Sequence, residues 1–127
     1  MKSKPKVVVI EDDIVFANLL ELSLRNNGYD AYIIATAKEA IDFIPASKGV
    51  DLFIVDYDLG DVKGNGLDLC RKIKAYAHKP VVMLTGETST DTTVACLYAG
   101  ADQYVLKPYD LKELLAQLPS KRFDPDL

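Results

Sequence analysis

The stretch Leu52-Phe53-Ile54-Val55-Asp56-Tyr57-Asp58-Leu59-Gly60 decides the architecture. Four apolar residues run without a polar interruption and stop at two carboxylates one residue apart. A continuous run of this kind suits a strand covered on both faces, whereas a half-exposed strand would alternate. The same signature recurs at Val7 to Ile10 and Val81 to Leu84, with weaker strand candidates at Tyr29 to Ala35 and Gln103 to Leu106. Segments of helical period separate them. The first carries Val15, Phe16, Leu19, Leu20, Leu22 and Leu24 as a broad apolar face, with Gly28 as a stop. The second keeps Ala37, Ala40, Ile41 and Ile44 in step behind a Thr36/Glu39 capping box. Leu69, Ile73, Tyr76 and Ala77 form the third stripe, and Val94, Leu97, Tyr98 and Ala101 the fourth. Leu111, Leu114, Leu115 and Leu118 form the fifth, opened by Asp110 with Glu113 behind it. Buried strands alternating with helices imply an α/β fold: a parallel sheet with right-handed crossovers and helices on both faces. The functional crevice of such folds lies outside the carboxyl ends of the strands.

At 127 residues the chain has room for one domain with one core. Lys plus Arg number 15 against 19 for Asp plus Glu, a net charge of −4, which disfavours direct nucleic-acid binding. Cys70 and Cys96 fit no metal or redox spacing and read as helix packing residues in a reducing, cytoplasmic setting. The basic start, Met1 to Lys6, leads into too short an apolar run for a signal peptide or membrane span. His78, the one histidine, reads as exposed and structural. The segment 119–127, with two prolines and four charged residues, reads as a tail or the start of a linker.

The residues that end the strands carry the chemistry. Glu11, Asp12 and Asp13 follow the first strand, Asp56 ends the third, with Asp58 just beyond, Thr85-Gly86 ends the fourth, and Lys107-Pro108 the fifth. Folded as above, several carboxylates, one hydroxyl and one ammonium share a crevice. Crowded carboxylates raise one another's pKa unless something positive sits among them. Oxygen-only ligands suit Mg²⁺, and the arrangement is that of a phosphoryl-transfer site in which a carboxylate can be the nucleophile. Asp13, immediately before the first helix, serves equally well as its N-cap.

These features, taken in order with Tyr104, resemble the receiver domain of two-component response regulators over roughly residues 5 to 118. The resemblance implies the flavodoxin-like sheet of order 2-1-3-4-5, a fold for which a chemotaxis member of the family is a known example. It implies Asp56 as phospho-acceptor, and Mg²⁺ held by Glu11, Asp12, Asp56 and the backbone carbonyl of Asp58. Lys107 would pair with Asp56 and then with the phosphoryl oxygens, through a Lys107–Pro108 peptide that is typically cis in this family. Thr85 would hydrogen-bond the phosphoryl group, and Tyr104 would be the aromatic switch. The implied donor is a histidine kinase or histidine phosphotransfer protein, the output surface α4-β5-α5, and a phosphorylation-dependent dimer is compatible with it.

The sequence departs from the family pattern in places. Gly60 stands where family members usually have proline, and the loop Leu59 to Gly66 is longer than the common form, leaving Gly64 and Gly66 both candidates for its usual glycine. Asp58 and Glu87 occupy variable positions that tune the phosphorylated lifetime, so an extra carboxylate beside the metal is expected. Among rivals, Asp56-Tyr57-Asp58 also resembles the nucleophile motif of haloacid-dehalogenase-type phosphatases, which need a later acidic metal motif; Asp102 is the candidate. A docking-only receiver is disfavoured by the complete Asp12, Asp56, Thr85 and Lys107 set. A flavin-binding flavodoxin is disfavoured because no Ser/Thr/Gly-rich loop follows the first strand.

Overall fold

Three runs of apolar, mostly β-branched residues pair side by side as the centre of a sheet, β1 (Lys6–Ile10), β3 (Leu52–Asp56) and β4 (Val81–Thr85). β2 (Asp30–Ile34) and β5 (Gln103–Leu106) close its two edges. The computed structural model describes residues 4–60, 62, 64–86, 89–107 and 111–118. All pairings are parallel, in the order β2-β1-β3-β4-β5. The helices are α1 (Ile14–Asn26), α2 (Ala37–Phe43), α3 (Asn65–Lys72), α4 (Thr90–Tyr98) and α5 (Leu111–Gln117). A 3-10 turn extends α2 over Ile44–Ala46, and a π-helical turn extends α3 over Ile73–Ala77. That wider turn ends at exposed His78, whose backbone is left-handed at φ 55° and whose N–H donates to the Ile73 carbonyl at 2.9 Å. Among the described residues, no helix is long and apolar enough to cross a membrane.

Alternation along the strands splits the core in two. Val7, Val9, Leu52, Ile54, Val82, Leu84 and Val105 face α1 and α5, meeting Leu20, Leu24, Leu114 and Leu118. Val8, Ile10, Phe53, Val55, Val81 and Met83 face the other way, against Ala40, Ile44, Leu69, Cys70, Ile73 and Cys96. Each fully buried leucine or isoleucine contributes roughly 1.5–3 kcal/mol relative to exposure. Cys70 and Cys96 are packing residues with free thiols, as their sequence context suggests.

Four helix faces differ from the sequence expectation. On α1, Ala17, Leu20 and Leu24 turn inward, while Val15, Leu19 and Leu22 are exposed. On α4, the expected stripe of Val94, Leu97 and Tyr98 lies outside, Tyr98 at 87% exposure, and Thr92, Cys96 and the capping Ala99 are buried. Ala101 is buried but follows the helix. Ile41 on α2 and Tyr76 in the π turn are likewise exposed. The reason is geometric. A helix lying against a sheet buries only one stripe, and close approach favours small residues such as alanine and cysteine over the larger apolar ones. Periodicity shows that apolar residues recur but does not choose between two such stripes. On α5, Leu114, Leu115 and Leu118 pack as expected, while the side chain of Leu111 and the Asp110/Glu113 cap lie outside the described residues.

Candidate functional site

Four strands deliver their last residues to one edge of the sheet. The backbone N–H of Glu11 donates to the Ile34 carbonyl at 3.1 Å, that of Tyr57 to Leu84 at 2.7 Å, and that of Lys107 to Thr85 at 2.7 Å. These bonds hold Glu11, Asp56, Thr85 and Lys107 side by side just beyond the hydrophobic layers. Glu11, Asp56 and Thr85 are buried there, at 1%, 5% and 1% exposure.

The Lys107 ammonium joins two of the acids. Its Nζ donates to Glu11 Oε1 and to Asp56 Oδ1, each at 3.0 Å, and lies 5.9 Å from the centre of the Phe16 ring on α1. One carboxylate oxygen each from Glu11, Asp12 and Asp56 lies within 4.8 Å of the others. Burial, reinforced by a hydrogen bond and negative charge from Asp56, pushes the Glu11 carboxyl up from 4.5 to about 7 against the opposing pull of Lys107. Burial works to lower the Lys107 pKa, but its hydrogen bonds and charge pairing with Asp56 and Glu11 outweigh this and hold it above its ordinary value. The crevice therefore carries more negative charge than one lysine neutralises. An additional cation has a ready place among hard oxygen donors, and that donor set fits Mg²⁺.

Asp12 is exposed and is oriented from across the crevice: its Oδ2 accepts from the Gly60 N–H at 2.9 Å. Asp13 is the cap, its Oδ1 accepting from the Phe16 N–H at 3.2 Å. The Asp13 N–H in turn donates to Glu11 Oε2 at 3.3 Å, so the three consecutive acids have three separate tasks.

The loop from β3 to α3 is ordered by its own side chains. Asn65 bonds Leu59 twice, Oδ1 accepting from its N–H at 2.8 Å and Nδ2 donating to its carbonyl at 3.1 Å. The Asp58 carboxylate, expected as an extra acid beside the metal, instead accepts from the Gly64 N–H at 2.5 Å and is not part of the acidic group of three. The physical reason is electrostatic: a backbone N–H six residues on offers a donor, whereas the crevice is already rich in like charge. The two candidate glycines have different jobs. Gly64 precedes α3 in a left-handed conformation, φ 76°. Gly66 lies against the acceptor strand, where an added Cβ would sit 2.2 Å from the Asp56 carbonyl oxygen. Tyr104 is half-buried and packs on the core beside Met83, its register partner in β4. Glu87 and the Lys107–Pro108 peptide lie outside the described residues.

Asp102 is at the opposite end of the sheet. Its Oδ2 accepts from the N–H of Val81, the first residue of β4, at 2.8 Å and from Lys74 Nζ at 2.9 Å. It cannot join Asp56 as the acidic motif that a haloacid-dehalogenase-type site would need. Gly60 and Phe16 were not readable as site residues. Gly60 acts through its backbone, and Phe16 looks like any apolar residue of an amphipathic helix.

A doubly wound parallel sheet whose carboxyl edge gathers an acidic group around one lysine places the molecule in the flavodoxin-like class. More narrowly, the chain belongs to the response regulator receiver domain family, whose model matches residues 7–119, and is thus a receiver of the two-component type. It is 35% identical over 118 residues to the DNA-binding response regulator MtrA of Mycolicibacterium smegmatis, covering 93% of this chain and 50% of the relative. It is 36% identical over 112 residues to the response regulator ArlR of Staphylococcus epidermidis, covering 88% and 50%. The chain thus spans about half the length of these curated relatives. Among solved structures, a CheY-like receiver domain protein of Methanospirillum hungatei matches with a TM-score of 0.82 at 29% identity, covering 94% of each chain. The receiver domain of Francisella response regulator 1452 matches with a TM-score of 0.82 at 27% identity, covering 94% and 99%.

Proposed function

We propose that this receiver takes a phosphoryl group onto Asp56 from the phosphohistidine of a histidine kinase or histidine phosphotransfer protein. The observation that carries the reading is the Asp56 carboxylate held 3.0 Å from Lys107 Nζ beside the carboxylates of Glu11 and Asp12. In the transfer, an Asp56 oxygen forms a bond to phosphorus as the phosphorus–nitrogen bond of the donor breaks, and the electron pair returns to the donor imidazole. Lys107 pairs with Asp56 and follows the charge onto the phosphoryl oxygens. Glu11, Asp12, Asp56 and the backbone carbonyl of Asp58 would hold Mg²⁺. When bound, the ion would neutralise carboxylate and phosphoryl charge that otherwise repel. The Thr85 hydroxyl would hydrogen-bond the phosphoryl group at the end of β4.

Phosphorylation adds charge beside Lys107 and Thr85, and Tyr104 on β5 would report it to the α4-β5-α5 surface by turning inward. Reversing a 1:99 equilibrium to 99:1 requires about 5.5 kcal/mol of differential interaction, within reach of several charge-assisted hydrogen bonds. The domain, residues 1–118, is a cytoplasmic switch whose only chemistry is on its own aspartate, with 119–127 as a tail or linker start. Its net charge of −4 leaves DNA contact, which the name of the MtrA relative states for that protein, to other parts of such a regulator.

The test is intact mass after incubation with Mg²⁺ and acetyl phosphate. The wild-type chain should gain one phosphoryl group, and Asp56→Ala none. Equal modification of both, or of neither while folding is intact, would remove the reading. Steady turnover of a phosphomonoester would favour the phosphatase alternative.

A further inference from the structure

The Gly60 N–H is the one described contact that reaches Asp12 from outside its own turn, and it crosses from the β3–α3 loop to the β1–α1 turn. We infer that Gly60 is a positioning residue for cation binding: its backbone N–H, presented by a left-handed glycine, aims the exposed Asp12 carboxylate at the shared oxygen cluster. This inference rests on the proposed Mg²⁺ site and adds a residue to it. Two observations support it independently. Asp12 is exposed, unlike buried Glu11 and Asp56, so its carboxylate would otherwise sample several rotamers. Gly60 has φ +63°, a conformation that costs most residues energy, and an added Cβ there would touch nothing within 4 Å. Crowding therefore does not explain the glycine; its left-handed backbone does, and that backbone presents the N–H to Asp12. The loop supplies the rigidity the task needs, since Asn65 clamps neighbouring Leu59 through both its N–H and its carbonyl. With Gly60 donating to one oxygen, the other Asp12 oxygen and the remaining lone pair are available to a cation. Partners of this kind outside the ligand shell typically change metal affinity 10- to 100-fold.

The test is Mg²⁺ affinity, with Mg²⁺ alone as probe, by intrinsic tyrosine fluorescence or calorimetry. Gly60→Pro removes both the N–H and the left-handed conformation that presents it, and is expected to weaken Mg²⁺ binding about 10- to 100-fold. Gly60→Asn keeps the N–H and tolerates the left-handed conformation, so it should retain affinity within about threefold. Equal affinity in all three proteins would overturn the inference. So would equal weakening in both variants, since strain alone would then account for it. Failure of wild-type protein to bind Mg²⁺, or binding unaffected by Asp12→Asn, would instead overturn the site reading itself. A second measurement does not depend on the proline variant folding. Amide exchange of ¹⁵N-labelled Gly60 in metal-free wild type should be slowed at least about tenfold relative to Asp12→Ala. Equal exchange in the two would also overturn the inference.

Discussion

Metal-free protein should lose stability as pH rises from about 5 to about 8, and Glu11→Gln should abolish most of that loss. The Glu11 carboxyl is raised from 4.5 to about 7 in the fold, a difference of 7 − 4.5 = 2.5 units. Between those values the native state holds a proton that the unfolded chain has released, so raising the pH favours unfolding. Below the window both states are protonated, and above it both are ionised and the loss is complete. At 1.36 kcal/mol per unit the full effect is about 3 kcal/mol. For a domain of this size that is a fall in Tm of about 10 °C. Lys107 has the same sign, since its raised pKa likewise contributes stability that is lost as pH rises, but that loss falls in strong alkali, outside this window. Glu11→Gln imitates the protonated acid, with an oxygen to accept from Lys107 and an N–H₂ to donate. Calorimetric melts in EDTA at steps of pH, wild type beside Glu11→Gln, provide the measurement. Saturating Mg²⁺ should flatten or reverse the wild-type slope, since an ion at the cluster favours the ionised carboxylate. Stability rising with pH in metal-free wild type, or an identical slope in the variant, would refute the account.

Two further outcomes can be checked directly. Gly66→Ala places a Cβ 2.2 Å from the Asp56 carbonyl oxygen, so the β3–α3 loop must shift; the expected cost is about 3 kcal/mol in denaturant titration, and a wild-type midpoint would show the approach is not tight. Burial pushes the Cys70 thiol up to about 11, and burial raises Cys96 as well. At pH 8 roughly one Cys70 thiol in a thousand is ionised, so a disulfide reagent should label neither cysteine in native protein and both in urea. Rapid stoichiometric labelling of native protein would contradict the burial.

Much of the fold was legible because strands buried on both faces leave unbroken apolar runs. Leu52 to Val55 and Val81 to Leu84 locate their strands to within a residue, and the alternation with helices dictates parallel pairing. The helix faces were less legible. Val94, Leu97 and Tyr98 are more apolar than Thr92, Cys96 and Ala99, yet the smaller set is buried because closeness of approach, absent from any list of residues, decides it.

By itself the sequence determined which acids, hydroxyl and lysine end the strands, since strand ends follow from where apolar runs stop. The tertiary structure alone decided how those groups divide their tasks. Asp13 turns to cap α1, Asp58 bonds its own loop, and Gly60 reaches across to Asp12. Of two nearby glycines, only Gly66 lies against Asp56. The physical reason is that hydrogen bonds and close contacts depend on directions and separations of a few ångströms, which pattern along the chain does not specify until packing has brought its distant segments together.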